Sequence, residues 1–170
     1  MFELRRDIVF YQLKDAILYW LIIPATVIIS GLYLDFFFQA SPLFNSKNLM
    51  WMGWVLLACG LLFISLSTRD LRLHGHGTPN KLRPARLLVT RGVYSICRHP
   101  MFFGYDLIAL AIAFFFNSRC ILFCSFPLFI CLQLIFLQRE EQLLAKKFRS
   151  DFPVYKKSVP FLIPFTSWEI

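Results

Sequence analysis

Residues 48–68, NLMWMGWVLLACGLLFISLST, hold no charged side chain between Lys47 and Arg69. A hydrocarbon core about 30 Å thick takes roughly 20 apolar residues of helix, so this stretch predicts a membrane-crossing helix. Residues 16–34 and 120–138 are equally free of charge, and residues 101–118 carry only Asp106 near their start. With 58% hydrophobic and 16% charged residues, the chain of 170 lacks a soluble composition. The expectation is an all-α integral membrane bundle of about four transmembrane helices, over spans of about 16–34, 48–68, 101–118 and 120–138, forming one domain from 1 to 170.

Residues Asn117 to Arg119 alone separate the last two spans, which therefore read as a tight helical hairpin. Threading four spans gathers every lysine and arginine on one side except Lys47 and Arg119. The positive-inside rule makes that side cytoplasmic, together with both termini. A bacterial inner membrane suits the compact size, and an endoplasmic reticulum membrane stays open. The net charge of +8 is accounted for by topology and anionic lipid, so no nucleic-acid partner is needed. The first apolar run starts late, exceeds the h-region of a signal peptide, and lacks a small-residue cleavage site behind it. Of the five cysteines, four lie in apolar stretches and none forms a CxxC pair, which reads as small hydrophobes.

Residues 1–15 read as an interfacial helix with Tyr19 and Trp20 as belt residues beyond it. The first loop, around Ser41-Pro42 and Asn45-Ser46, carries no sign of chemistry. By contrast, the segment from Arg69 to Pro100 is long for a connection in so small a chain, and function is expected there. Its His74 and His76 lack carboxylate or cysteine companions, so no metal site is read from them, and the glycines beside them suit a flexible turn that lets backbone approach a ligand. Pro100 belongs in the first turn of the third helix, where its missing N–H costs nothing. The fourth helix should continue past the membrane through Arg139-Glu140-Glu141, since strong helix formers follow as far as Phe148. Phe152, Tyr155, Val159, Phe161 and Trp168, interspersed with prolines, suit a coil along the headgroups.

Acids near a membrane boundary are functional candidates by default. Glu140 and Glu141 leave the fourth span at the depth where Arg98 and His99 precede the third, so these four can meet. The blander reading is a helix end that has reached water and pairs with its neighbours. Asp106 reads as a helix-start acid favoured by the N-terminal dipole. One Arg, one His and two carboxylates at the mouth of an apolar bundle suit a ligand zwitterionic at one end whose partner is lipophilic.

The order of motifs resembles a family of integral membrane enzymes. Gly75-His76-Gly77-Thr78-Pro79, Leu88-Val89-Thr90-Arg91-Gly92-Val93-Tyr94, Arg98-His99-Pro100-Met101-Phe102-Phe103-Gly104, Glu140-Glu141 with Leu144, and Phe148, Tyr155, Val159-Pro160 and Pro164 together resemble the isoprenylcysteine carboxyl methyltransferase and phospholipid methyltransferase family, over residues 75–164. The resemblance implies an S-adenosylmethionine pocket open to the cytoplasm and a lipophilic acceptor entering laterally between helices. It implies that Leu88, Val89, Tyr94, His99, Pro100, Phe102 and Glu140 bind the cofactor, while Arg98, Glu141 and Gly104 match the motif too. The chain departs from the family pattern in three places. Phe102 stands where a tyrosine is usual, and Phe148-Arg149 and Phe152 stand where Phe-Gly and a following tyrosine are usual. Phe136 occupies the place of a substrate-binding arginine in the animal prenylcysteine enzymes, a role that Arg139 could take over.

The reaction so implied is an in-line displacement at a sulfonium. An ionised carboxylate acceptor needs alignment and dehydration, with Arg98 or Arg139 holding it bidentately. A lipid amine or thiol must lose a proton, with Glu140, Glu141 or His99 as base. Two other readings stand beside it. Arg98-His99-Pro100 with Gly104 also resembles the NADPH-dependent membrane sterol-type reductases, which need more helices than this chain supplies, and a non-catalytic membrane protein of the same fold is the other. A channel is disfavoured because no span carries a series of buried polar residues.

Overall fold

The computed structural model describes residues 22–44, 50–78 and 85–164, and every regular element among them is helical. Helix α1 is Ile23–Phe37 and α2 is Met50–Gly75. A 3-10 turn at Gly92–Ser95 leads to α3, Pro100–Phe115. A π-helical segment, Ile121–Ser125, runs directly into α4, Phe126–Phe148, and a short α5 covers Asp151–Ser158. The interfacial helix read at 1–15, the first residues of the 16–34 span and Trp168 lie outside the described residues.

Among the described residues, two helices are long and apolar enough to cross a membrane: α2, and the continuous helix Ile121–Phe148 of 28 residues. At 1.5 Å per residue the latter is about 42 Å long, more than the hydrocarbon requires, so one end must project. Helices α1 and α3 are apolar but shorter, with 15 and 16 residues. Much of the exterior is apolar: Phe36, Trp51, Val55, Phe123, Leu128 and Leu132 are all more than half exposed. Such a surface suits lipid better than water.

Helices α2 and α3 lie antiparallel and touch through backbone. A Cβ at Gly60 would stand 2.7 Å from the carbonyl oxygen of Gly104, and one at Gly104 would stand 2.8 Å from the carbonyl oxygen of Gly60. Only glycines allow this approach, as expected where helices pack without a hydrophobic drive between them. Phe63 stacks edge-on against Phe103 one turn further along, at 5.0 Å.

The far end is closed by side-chain capping. Asp35, one residue past the 16–34 stretch, accepts from Ser118 Oγ and from the backbone N–H of Cys120 at 3.0 Å. Asn117, with φ +49° in the turn between α3 and the π-helical segment, exchanges two hydrogen bonds with the Phe44 backbone, at 2.8 and 2.9 Å. The hairpin turn is thereby tied to the first loop.

The tail corrects the sequence reading. Residues 151–158 form a helix, and Phe152, Tyr155, Val159, Phe161 and Leu162 are buried. Their apolar area packs on the bundle, with Phe161 and Leu162 against Leu137 and Phe152 and Tyr155 among Leu88, Leu144 and Phe148. The proline-rich composition disguised this, because packing on neighbours supplies the stabilisation that an isolated eight-residue helix lacks.

Candidate functional site

The α3–α4 hairpin forms a ladder whose top rung is charged. Arg98 Nε lies 2.6 Å from Glu141 Oε1, and His99 Nε2 lies 3.6 Å from the same oxygen. Lys156 Nζ, from α5, lies 2.9 Å from Glu141 Oε2. Arg98, His99 and Glu141 are all buried. Three nitrogen-bearing side chains around one buried carboxylate hold it ionised.

Arg98 does further work. Its Nη1 donates to the carbonyls of Lys156 and Val159, at 2.7 and 3.0 Å, and its backbone N–H donates to the carbonyl of Pro160 at 2.8 Å. Its guanidinium also sits over the Phe161 ring, 5.3 Å from the centroid. His99 stacks edge-on with the same ring at 5.0 Å. Arg98 is thus the peg on which the chain after α5 is hung. Its Nη2 is buried with no hydrogen-bond partner among the described residues, and a buried unsatisfied donor is costly unless a ligand meets it.

The loop before α3 is positioned from α2. Asp70 is buried at the end of that helix and accepts from the Val93 backbone N–H at 2.9 Å. Gly92 has φ +64°, and a Cβ there would collide with the Asp70 carboxylate. Glycine is required on both counts. Tyr94 follows in the 3-10 turn; burial first, then the carboxylates of Glu140 and Asp70, push its phenol well above the usual range, so it stays protonated. Tyr155 Oη donates to the Tyr94 carbonyl at 2.6 Å. Burial likewise raises the Cys97 thiol to about 12, leaving it an inert packing group.

The structure therefore brings Arg98, His99 and Glu141 together, with Glu140 beside them on α4 and facing the region of Tyr94. Pro100 is buried at the start of α3. Phe102 lies beneath His99, with ring centroids 6.3 Å apart, and meets Phe136 of α4 at 5.9 Å. Val89 is buried near Gly75, and Leu88 packs on the Tyr155 cluster. Arg139 is exposed on α4, and the structure does not bring it to this cluster.

Two sequence readings change here. Asp106 is not a dipole-stabilising acid in the first turn of its helix. It is buried further along α3, where its Oδ2 accepts from Gln133 Nε2 at 3.1 Å. The turn read at Gly75–Gly77 begins only at His76. Gly75 is buried inside the last turn of α2, and its carbonyl accepts from the N–H groups of Arg86 and Leu87 at 2.7 and 3.3 Å. Sequence reasoning passed over Asp70, Lys156, Phe161 and Gln133. The signal available for Asp70 was a lone acid at the end of an apolar span among arginines; for Gln133 it was an amide in the middle of one.

A family model described as phospholipid methyltransferase matches residues 48–151, from the start of α2 to the start of α5. No curated protein and no solved structure matches the chain.

Proposed function

Since the chain belongs to the phospholipid methyltransferase family, we propose that it transfers the methyl group of S-adenosylmethionine to a lipophilic acceptor, at a site facing the cytoplasm in a bundle of four membrane-spanning helices. The observation that carries this reading is the buried cluster of Arg98, His99 and Glu141 at one end of an apolar bundle, inside the stretch that the family model matches.

The residues present suit such a cofactor. Its amino-acid end needs a cation for the carboxylate and an anion for the ammonium; its sulfonium and adenine are best met by aromatic faces. The unsatisfied Arg98 Nη2 fits the first need, and Glu140 fits the second. Tyr94, His99 and Phe102 offer the ring surfaces, and Leu88, Val89 and Pro100 the apolar wall. When bound, the sulfonium supplies a methyl group already activated for displacement. What the chain contributes is alignment and exclusion of water.

Glu141 is assigned a holding role, because Arg98, His99 and Lys156 already occupy it. It keeps Arg98 ionised and oriented without taking a proton itself. Arg98 spends Nε on Glu141 and Nη1 on two backbone carbonyls, so clamping a carboxylate acceptor as well would fall to the exposed Arg139. An amine acceptor asks for no such cation, and the family description names a phospholipid.

The test is calorimetric titration of detergent-purified protein with S-adenosylmethionine and S-adenosylhomocysteine, followed by radiolabelled methyl transfer to phosphatidylethanolamine and to a prenylcysteine. Micromolar binding of both nucleosides with labelling of the amine lipid is expected. Absence of binding in protein that runs as a single folded species would overturn the reading.

A further inference from the structure

Below its charged rung the α3–α4 hairpin has two more. Phe102 meets Phe136 at 5.9 Å, and below them Asp106 Oδ2 accepts from Gln133 Nε2 at 3.1 Å. Seven residues of α3 and eight of α4 separate this polar rung from His99 and Glu141, which is about 10–12 Å of helix. A carboxylate at that depth in an apolar bundle is expensive, and such residues ordinarily serve a ligand or a pathway.

Asp106 and Gln133 are 7% and 6% exposed. An interhelical hydrogen bond would account for Oδ2 alone. Asp106 Oδ1 is buried and has no hydrogen-bond partner among the described residues, so half of the carboxylate stands open to a ligand. The rung above it is two phenylalanine rings, and Phe136 is 39% exposed at the outer surface of α4. An anion beneath aromatic rings is what a cationic head seeks, and the partly exposed Phe136 ring lies on the side from which a lipid would arrive.

We propose that Asp106, held by Gln133, seats the ammonium head of an amine-bearing lipid acceptor beneath the Phe102–Phe136 rung. The proposal rests on the methyl-transfer reading for the word acceptor, but the binding site itself stands on the ladder. The carboxylate also has somewhere to put a proton: an N–H bond of the ammonium breaks, the proton passes to Asp106 Oδ1, and the electron pair stays on nitrogen as its nucleophilic lone pair.

The test is lipid retention, read without turnover. Full-length protein is placed in nanodiscs of equal phosphatidylethanolamine and phosphatidylglycerol, and bound lipid is counted by native mass spectrometry. At least a tenfold preference for the amine lipid is expected in the wild type, falling to near parity in Asp106→Asn. Cofactor affinity and melting temperature, measured on the same samples, show whether the variant is folded. Should Asp106→Asn not fold, displacement of the amine lipid from wild type by hexadecylamine but not by hexadecanoate supports the seat. A folded Asp106→Asn with the wild-type preference overturns it, as does a wild type with no preference, or one from which both amphiphiles displace lipid equally. If the preference tracks Asp106 in a protein that binds no S-adenosylmethionine, the seat stands and the methyl-transfer reading falls.

Discussion

Arg98 Nε and Glu141 Oε1 lie 2.6 Å apart, with 3% and 7% of their side chains exposed. The pair joins the C-terminal half of α4 to the segment leading into α3, and through the carbonyls of Lys156 and Val159 it fixes the tail as well. A buried pair of this kind adds little net stability over apolar residues of equal volume, but removing one partner strands the other.

Glu141→Gln is therefore expected to destabilise the protein by about 3–5 kcal/mol, a fall in melting temperature on the order of 10 °C. Lys156→Met removes a partner whose side chain is 41% exposed, and its cost should stay below about 1 kcal/mol. Thermal unfolding in detergent, followed by tryptophan fluorescence, checks both. Equal losses in the two variants would mean that Lys156, not Arg98, is the partner that matters.

Arg149 gives a prediction of opposite sign. It ends α4 with φ +40° and ψ −103°, a conformation that strains any residue with a Cβ by about 1–3 kcal/mol. The resemblance places glycine at this position, and the backbone explains why. Arg149→Gly should raise the melting temperature, with a gain of about 1 kcal/mol after the entropy that glycine costs the folded chain is subtracted. A lower melting temperature would show that the arginine side chain makes contacts worth more than the strain.

The contact of α2 with α3 admits no side chain. Gly60→Leu would drive atoms into the Gly104 carbonyl and Ile108, and overpacking in a closed interface costs about 1–3 kcal/mol or more. Because α2 carries Asp70, which holds Val93 and the loop before α3, cofactor affinity should fall together with stability. A Gly60→Leu variant as stable as the wild type would refute the close approach.

How much of this could be read from the sequence depends on the range of the interaction. The uncharged run at 48–68 announced α2, and the equal depth of Arg98 and Glu141 followed from where two spans end. Local residue type also placed Pro100 at a helix start. Helix ends were less legible: α2 runs on to Gly75, because Arg69 and Arg72 can project from a helix that has left the hydrocarbon. Least legible were the pairings Asp70 with Val93, Asp106 with Gln133, and Asp35 with Ser118. Each joins residues at least 23 positions apart, and only the folded register brings them together. The tail failed for the same reason, since Phe161 and Tyr155 read as surface aromatics until the bundle they cover is in place.

Phe136 allows the acceptor's chemistry to be changed by one substitution. It faces Phe102 a turn above Gln133, at the place where the resemblance puts a substrate-binding arginine in prenylcysteine enzymes. Phe136→Arg would bring a guanidinium within reach of Asp106 Oδ1, and the desolvated pair should form because each ion otherwise lacks a partner. An ammonium head would then be competing with a tethered cation, while a carboxylate head would meet fewer uncompensated negative charges. The expected outcome is at least a tenfold loss of methyl transfer to phosphatidylethanolamine, with S-adenosylmethionine affinity changed less than about threefold, equivalent to roughly 0.7 kcal/mol. Radiolabel incorporation and calorimetry on the same preparation separate the two effects. Transfer to the amine lipid at the wild-type rate would place the acceptor somewhere other than the Phe102–Phe136 rung.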